Sequence, residues 1–157
     1  LIKIGNYKNI LELGTFMGYS TLAMALALDK EGKIFTVDKD LKTTSHAKKF
    51  WNKAGVTNQI TMLNSDAIEA LQNFIIQKKL FDFIFIDGDH SYPGVKRDYE
   101  SVLPYVSENG VMVFHDAWWD VHPYPVKGPM MLLEELGGLI VNKTHLGILK
   151  SDVHKIT

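Results

Sequence analysis

Short apolar runs that each end on a polar or charged residue, with longer amphipathic stretches between them, constrain this chain more than any other feature. They read as strands at about 9–13, 33–38, 59–64, 82–87 and 109–115, with two further strands at about 138–143 and 146–150. Strands alternating with helix-length segments predict a parallel α/β sheet covered by helices on both faces. YSTLAMALAL follows Gly18 and is rich in Ala and Leu, and DLKTTSHAKKFWNKAG carries apolar residues at helical spacing and closes at Gly55. DAIEALQNFIIQKK starts at a cap-type residue, Asp66, and YPGVKRDYESVLPYV holds Pro93 and Pro104 near its two ends, where helices tolerate proline. WWDVHPYPVKGP, with three prolines in twelve residues, reads as a long irregular loop.

With 157 residues, 46% of them apolar and 22% charged, the whole of 1–157 is expected to form one domain. A net charge of -1 provides no electrostatic footprint for a nucleic acid. No apolar run is long enough to span a bilayer, and the start LIKIGNYKNI lacks a signal-peptide core, so the expectation is a cytoplasmic protein with no membrane partner. The absence of cysteine removes disulfides, thiolate catalysis and cysteine zinc sites. Leu1 stands within a few residues of the first strand, which suggests that preceding helices are missing.

In open α/β sheets, ligands bind beyond the carboxyl ends of the strands, near the point where strand order reverses. Here the first strand runs into ELGTFMGYS, the second ends on Asp38, the third leads to Asp66, the fourth ends on Asp87, and the fifth on His115 and Asp116. A lone terminal Asp is more often a helix cap, but five polar strand ends in register point to a site. Gly14 and Gly18, flanked by Glu12 and Ser20, let backbone approach a ligand; tight strand–helix packing would also explain the two glycines. Their G-x-x-x-G spacing lacks both the dinucleotide and the phosphate-loop patterns. Asp38 is placed to accept from ribose hydroxyls, so a nucleoside is expected without a dinucleotide being established.

ILELGTFMGYSTLAMALAL, TVDKD, NSDAIEAL, FDFIFIDGDH and ENGVMVFHD together resemble the class I S-adenosylmethionine-dependent methyltransferases, and within them the small metal-dependent O-methyltransferases of the catechol, caffeoyl-CoA and macrolide-sugar types. The resemblance implies a Rossmann-like sheet of seven strands in order 3-2-1-4-5-7-6, the last antiparallel, with LIVNK and LGILK as the final hairpin. It implies that Glu12, Gly14, Thr15, Gly18 and Ser20 hold the methionine end of S-adenosylmethionine, Asp38 its ribose, and Asp66 with Ala67 its adenine side. It also implies a divalent metal, magnesium or manganese, on Asp87 and Asp116. Ala117 replaces the Asn of catechol-type relatives, and His115 stands where the sugar-modifying relatives carry the first of two acids. Imidazole suits manganese, iron or zinc better than magnesium.

Three residues after Asp87, His90 occupies the offset at which catechol-type relatives place a Lys and sugar-modifying ones a His, the general base for a small-molecule hydroxyl. A loop histidine capping the next helix is the alternative for His90, and Asp89 either orients it or faces solvent. Trp118 and Trp119 are either an aromatic wall over the acceptor or packing residues. His46, His122, His145 and His154 are expected at the surface or in packing, and Lys48 with Lys49 on a solvated helix face. The leading function is methyl transfer from S-adenosylmethionine to a hydroxyl. A donor-binding domain without transfer activity and a nicotinamide-dependent oxidoreductase are the alternatives, and a homo-oligomer is compatible with each.

Overall fold

The computed structural model describes residues 1–77, 79–118, 127–141 and 144–151. Trp119, His122, His154 and most of the proline-rich loop lie outside them, as do positions 142 and 143 of the sixth predicted strand. Strands β1 (Asn9–Leu13), β2 (Lys33–Val37), β3 (Ile60–Leu63), β4 (Phe81–Ile86), β5 (Val106–Phe114), β6 (Leu139–Ile140) and β7 (Gly147–Lys150) form one sheet in the order β3-β2-β1-β4-β5-β7-β6. Pairing is parallel from β3 to β5, and β7 runs antiparallel to β5 and β6, as the resemblance implies. Among the described residues, no helix is long and apolar enough to cross a membrane.

Period-two alternation divides the core between the two faces of the sheet. Leu11, Leu13, Ile84 and Ile86 pack with Leu71, Phe74, Tyr99 and Leu132 from helices α4 (Ala67–Gln77), α5 (Tyr92–Val102) and α6 (Gly128–Leu136). Ile10, Ile34, Phe83 and Val113 pack on the opposite face with Met24, Ala25, Ala47 and Trp51 from α2 (Tyr19–Ala27) and α3 (Leu41–Lys53). A four-residue helix, α1 (Ile2–Gly5), precedes β1.

Two elements depart from the sequence expectations. Residues 128–136 form α6, a helix not anticipated there, although Pro129 in its first turn and left-handed Gly137 at its end are ordinary boundary signals. Of the four described positions of the sixth expected strand, β6 takes two, Leu139 and Ile140; at the edge of the sheet it pairs with β7, and short edge strands limit unwanted pairing.

Glu12 ties β1, α2 and β2 together. Its buried carboxylate accepts from Ser20 Oγ and Thr21 Oγ1 at 2.5 Å each and from Thr36 Oγ1 at 2.6 Å. Burial pushes its pKa up to about 7 against the opposing pull of the three hydroxyls, and the negative charge of Asp87 pushes the same way. The folded protein therefore holds a proton that the unfolded chain releases near pH 4.5, and stability falls as pH rises from there toward 7. Denaturant titrations across this window should show a shallower decline for Glu12→Gln than for the parent; parallel curves would mean that Glu12 stays ionised throughout.

Gly18 (φ 74°) and Gly137 (φ 68°) share a backbone conformation but not surroundings: a Cβ at Gly18 would strike Ala47 and Trp51, whereas Gly137 has nothing within 4 Å. Gly137→Ala should cost about 1 kcal/mol of backbone strain, and Gly18→Ala about 1–3 kcal/mol more from overpacking, read from denaturation midpoints. Equal losses would contradict the packing assigned to Gly18.

Candidate active site

At the carboxyl ends of β1, β2, β4 and β5 a main-chain hydrogen bond carries the parallel ladder one residue into the loop. Gly14 N donates to Val37 O (2.9 Å), Asp38 N to Leu63 O (3.1 Å), Asp87 N to Leu13 O (2.8 Å) and His115 N to Ile86 O (3.0 Å). The first polar residue after each strand is thus fixed at one edge, and between β1 and β4, where strand order reverses, a cavity of about 620 Å³ opens. Gly14, Asp38, Asp66, Ala67, Asp87 and His90 all line it. Its volume suits a ligand of nucleoside size.

Gly14 (φ 97°) is required by close approach as well as by conformation, because a Cβ there would collide with the Asp87 carbonyl. Asp38 fixes the turn that follows: Oδ2 accepts from Thr15 N (3.0 Å) and Phe16 N (2.8 Å), and Oδ1 from Asp40 N (2.8 Å). A carboxylate has about four lone-pair positions, so acceptor capacity remains toward the cavity. Asp66 has both roles considered for it, capping α4 through Oδ1 and Ile68 N (3.0 Å) while lining the cavity.

Four side chains meet beyond β4 and β5 in an alternating ring. His90 Nε2 lies 3.2 Å from Asp87 Oδ1 and 3.2 Å from Asp116 Oδ2, and His115 Nδ1 lies 3.1 Å from Asp87 Oδ1 and 3.2 Å from Asp116 Oδ1. Asp116 adopts φ 52°, a left-handed conformation uncommon outside glycine but tolerated by Asp. Burial pushes the Asp87 carboxyl up, yet hydrogen bonds from His115 and His90 outweigh it and hold the group below the usual carboxylate range. Both imidazoles are raised, each first by its bond to Asp87 and against the pull of burial. Asp87, His90 and His115 at these separations fit a divalent cation, which would take the place of protons on the ring nitrogens, and Asp116 adjoins both imidazoles. Asp87, His90 and His115 each present one donor atom within 4.8 Å of the others.

The eight residues expected around the donor separate into two sets. Gly14, Asp38, Asp66 and Ala67 line the cavity, while Glu12, Thr15, Gly18 and Ser20 are not among its walls. Gly18 packs beneath Trp51 and accepts from its indole N–H (3.1 Å), and Thr15 Oγ1 bonds Thr36 Oγ1 (2.6 Å). The helix-cap alternative for His90 does not describe its contacts: Asp89 Oδ1 accepts from Ser91 N and Ser91 Oγ from Gly94 N, leaving the His90 imidazole directed at Asp87 and Asp116.

Three residues near the site were not singled out as site residues from the sequence. His145, expected in packing or at the surface, sits on the β6–β7 turn with Nδ1 3.8 Å from Asp116 Oδ1. Asp98 is buried on α5, accepts from the Asp89 main chain and pairs with Arg97 at 3.1 Å; both line the cavity. No spacing rule connects 145 to 116, because the antiparallel β5–β7 pairing creates their proximity.

A family profile described as O-methyltransferase matches residues 1–129. The chain is 36% identical over 124 residues to tapetum-specific methyltransferase 1 of Arabidopsis thaliana, covering 76% of this chain and 51% of that protein. It is likewise 36% identical over 121 residues to the caffeoyl-CoA O-methyltransferase of Populus kitakamiensis, covering 76% and 51%. The chain thus spans about half the length of the curated relatives it matches. The crystal structure of an O-methyltransferase from Bacillus cereus in complex with SAH shares the fold, with a TM-score of 0.74 at 24% identity over 95% of this chain and 75% of that one. With the strand order, the cavity at the reversal point and the acids at the strand ends, the profile match over most of its length places this chain in the O-methyltransferase family of class I S-adenosylmethionine-dependent enzymes.

Proposed function

We propose that this chain transfers a methyl group from S-adenosylmethionine to a hydroxyl of a small molecule, with a divalent cation assisting and His90 as the general base. The observation that carries the proposal is a single cavity lined both by Asp38 and Asp66 and by Asp87 and His90 of the ring. Asp38 would receive the ribose hydroxyls, and Asp66 with Ala67 the adenine side. Glu12, Thr15, Gly18 and Ser20 would act from behind, holding the shape of the turn around Gly14. Support for the donor also comes from the SAH held by the Bacillus cereus protein of the same fold.

Asp87, Asp116 and His115 would hold the cation, which when bound would acidify the acceptor hydroxyl and offset the charge of the two acids. His90 Nε2, beside both carboxylates, would take the hydroxyl proton. The oxygen then forms its bond to the methyl carbon as the sulfur–carbon bond breaks, and the proton leaves His90 for solvent. The chain's own contribution is to align acceptor and donor and to place the base within reach, effects of geometry and electrostatics.

S-adenosylhomocysteine should raise the melting temperature by several degrees at 100 times its dissociation constant, a linkage of about 2.7 kcal/mol, and NAD should not. Asp38→Asn should weaken that binding by about tenfold or more, the loss of a hydrogen bond to a charged group. Stabilisation by NAD alone would overturn the donor assignment. His90→Ala should lower turnover about 10²- to 10⁴-fold with donor and cation affinity nearly unchanged. Full turnover in that variant would remove the base role, and loss of cation binding would make His90 a ligand. A protein that binds donor but transfers nothing to any hydroxyl would be a binding domain.

A further inference from the structure

Asp98 is a buried carboxyl group that the proposed chemistry does not use. It is 4% exposed on α5, pairs with Arg97 at 3.1 Å, and also accepts from the main-chain N–H of Asp89. Taking a carboxylate out of water is costly unless its lone pairs are met, so an apolar residue would fill this space at lower cost. The bond to Asp89 reaches the turn that carries His90. Gly88 lets helix and turn come together, because a Cβ there would stand 3.0 Å from Asp98 Oδ2.

The turn is fixed on both sides of His90. Upstream, Asp87 N donates to Leu13 O (2.8 Å) and Asp89 N to the Asp98 carboxylate. Downstream, Ser91 N donates to Asp89 Oδ1 (2.9 Å) and Gly94 N to Ser91 Oγ (3.2 Å). From α6, Gly128 closes on the same turn: a Cβ there would lie 2.3 Å from His90 O and 2.6 Å from Tyr92 N. With its main chain set between α5 and α6, His90 brings Nε2 to 3.2 Å from both Asp87 Oδ1 and Asp116 Oδ2. A general base works only within hydrogen-bond reach of its proton, and a displacement of about 1 Å can cost 10²-fold in rate.

We propose that Asp98 and Gly128 are positioning residues for His90, Asp98 by anchoring the Asp89 amide from α5 and Gly128 by letting α6 close against the His90 carbonyl. This rests on the reading of His90 as general base and deepens it. Both residues act through the main chain of the turn.

Long-range ¹H–¹⁵N NMR of the histidine rings at fixed pH, on the protein with S-adenosylhomocysteine, reads the His90 imidazole directly once His90→Ala has assigned it. Asp98→Ala and Gly128→Ala should each move or broaden the His90 signals and leave those of His46, on α3, in place. Asp98→Asn, which keeps an acceptor for the Asp89 N–H, should restore them. Turnover, with catechol and a methyl glycoside as acceptor probes, should fall about 10- to 100-fold in kcat with KM little changed. In a His90→Ala background the same substitutions should cost less than about threefold more, because residues acting through one group are not additive. S-adenosylhomocysteine affinity should stay within about threefold, which also certifies the fold. Unmoved His90 signals in both variants, or equal losses of turnover with and without His90, would overturn the positioning role. A collapse of S-adenosylhomocysteine affinity in Asp98→Ala would overturn it too, by making Asp98 a donor-binding residue. Full turnover in His90→Ala, or a parent that methylates neither probe, would go against the base reading instead, and the NMR would still decide whether Asp98 and Gly128 place the ring.

Discussion

The parallel register of β1, β4 and β5 is the constraint on which the rest of the site depends. Leu13 pairs with Ile86, and Ile86 with Phe114, so Gly14, Asp87 and His115 follow their strands at one level. Shifting β4 by one residue would exchange the faces of Phe85 and Ile86 and direct Asp87 away from Asp116. Apolar packing on both faces fixes this register, and the arrangement of polar side chains at the strand ends inherits its precision from it. Main-chain bonds from Asp87 N and His115 N extend the ladder into the loops, so the polar residues are held by backbone before any side chain makes a contact.

Charge is managed by pairing within that frame. Asp87 and Asp116 are each half-buried and share two imidazoles, and hydrogen bonds to those rings keep Asp87 acidic despite its burial. Behind them Glu12 is bonded to three hydroxyls and is driven the opposite way, its pKa raised by burial to about 7. Neighbouring carboxylates on adjacent central strands are thus shifted in opposite directions by their surroundings: Asp87 lines the cavity, and Glu12 serves the scaffold.

Much of this arrangement is legible from residues in order. Apolar runs ending on Asp38, Asp87 and Asp116 reveal a parallel sheet with its chemistry at one edge, since buried strands must place charge at their ends. Gly14 is legible for the same reason, as only glycine fits against the Asp87 carbonyl. Gly18 and Ser20 look equally like ligand residues in the sequence, yet Trp51, 33 residues away, occupies the space beside Gly18. His145 is hidden more deeply, because its approach to Asp116 is created by an antiparallel hairpin that returns to β5 from the far edge. Helix α6 is obscured by the proline-rich segment before it, although its own boundary residues are conventional.

A crystal structure of the protein grown with S-adenosylhomocysteine and Mn²⁺, with anomalous data to locate the ion, tests the central claim most directly. The account predicts the adenosyl group between Asp38 and Asp66 and one manganese peak bonded to Asp87 and Asp116, with His90 beside the position an acceptor oxygen would take. S-adenosylhomocysteine bound outside the β1–β4 cavity, or manganese bound away from both acids, would contradict it.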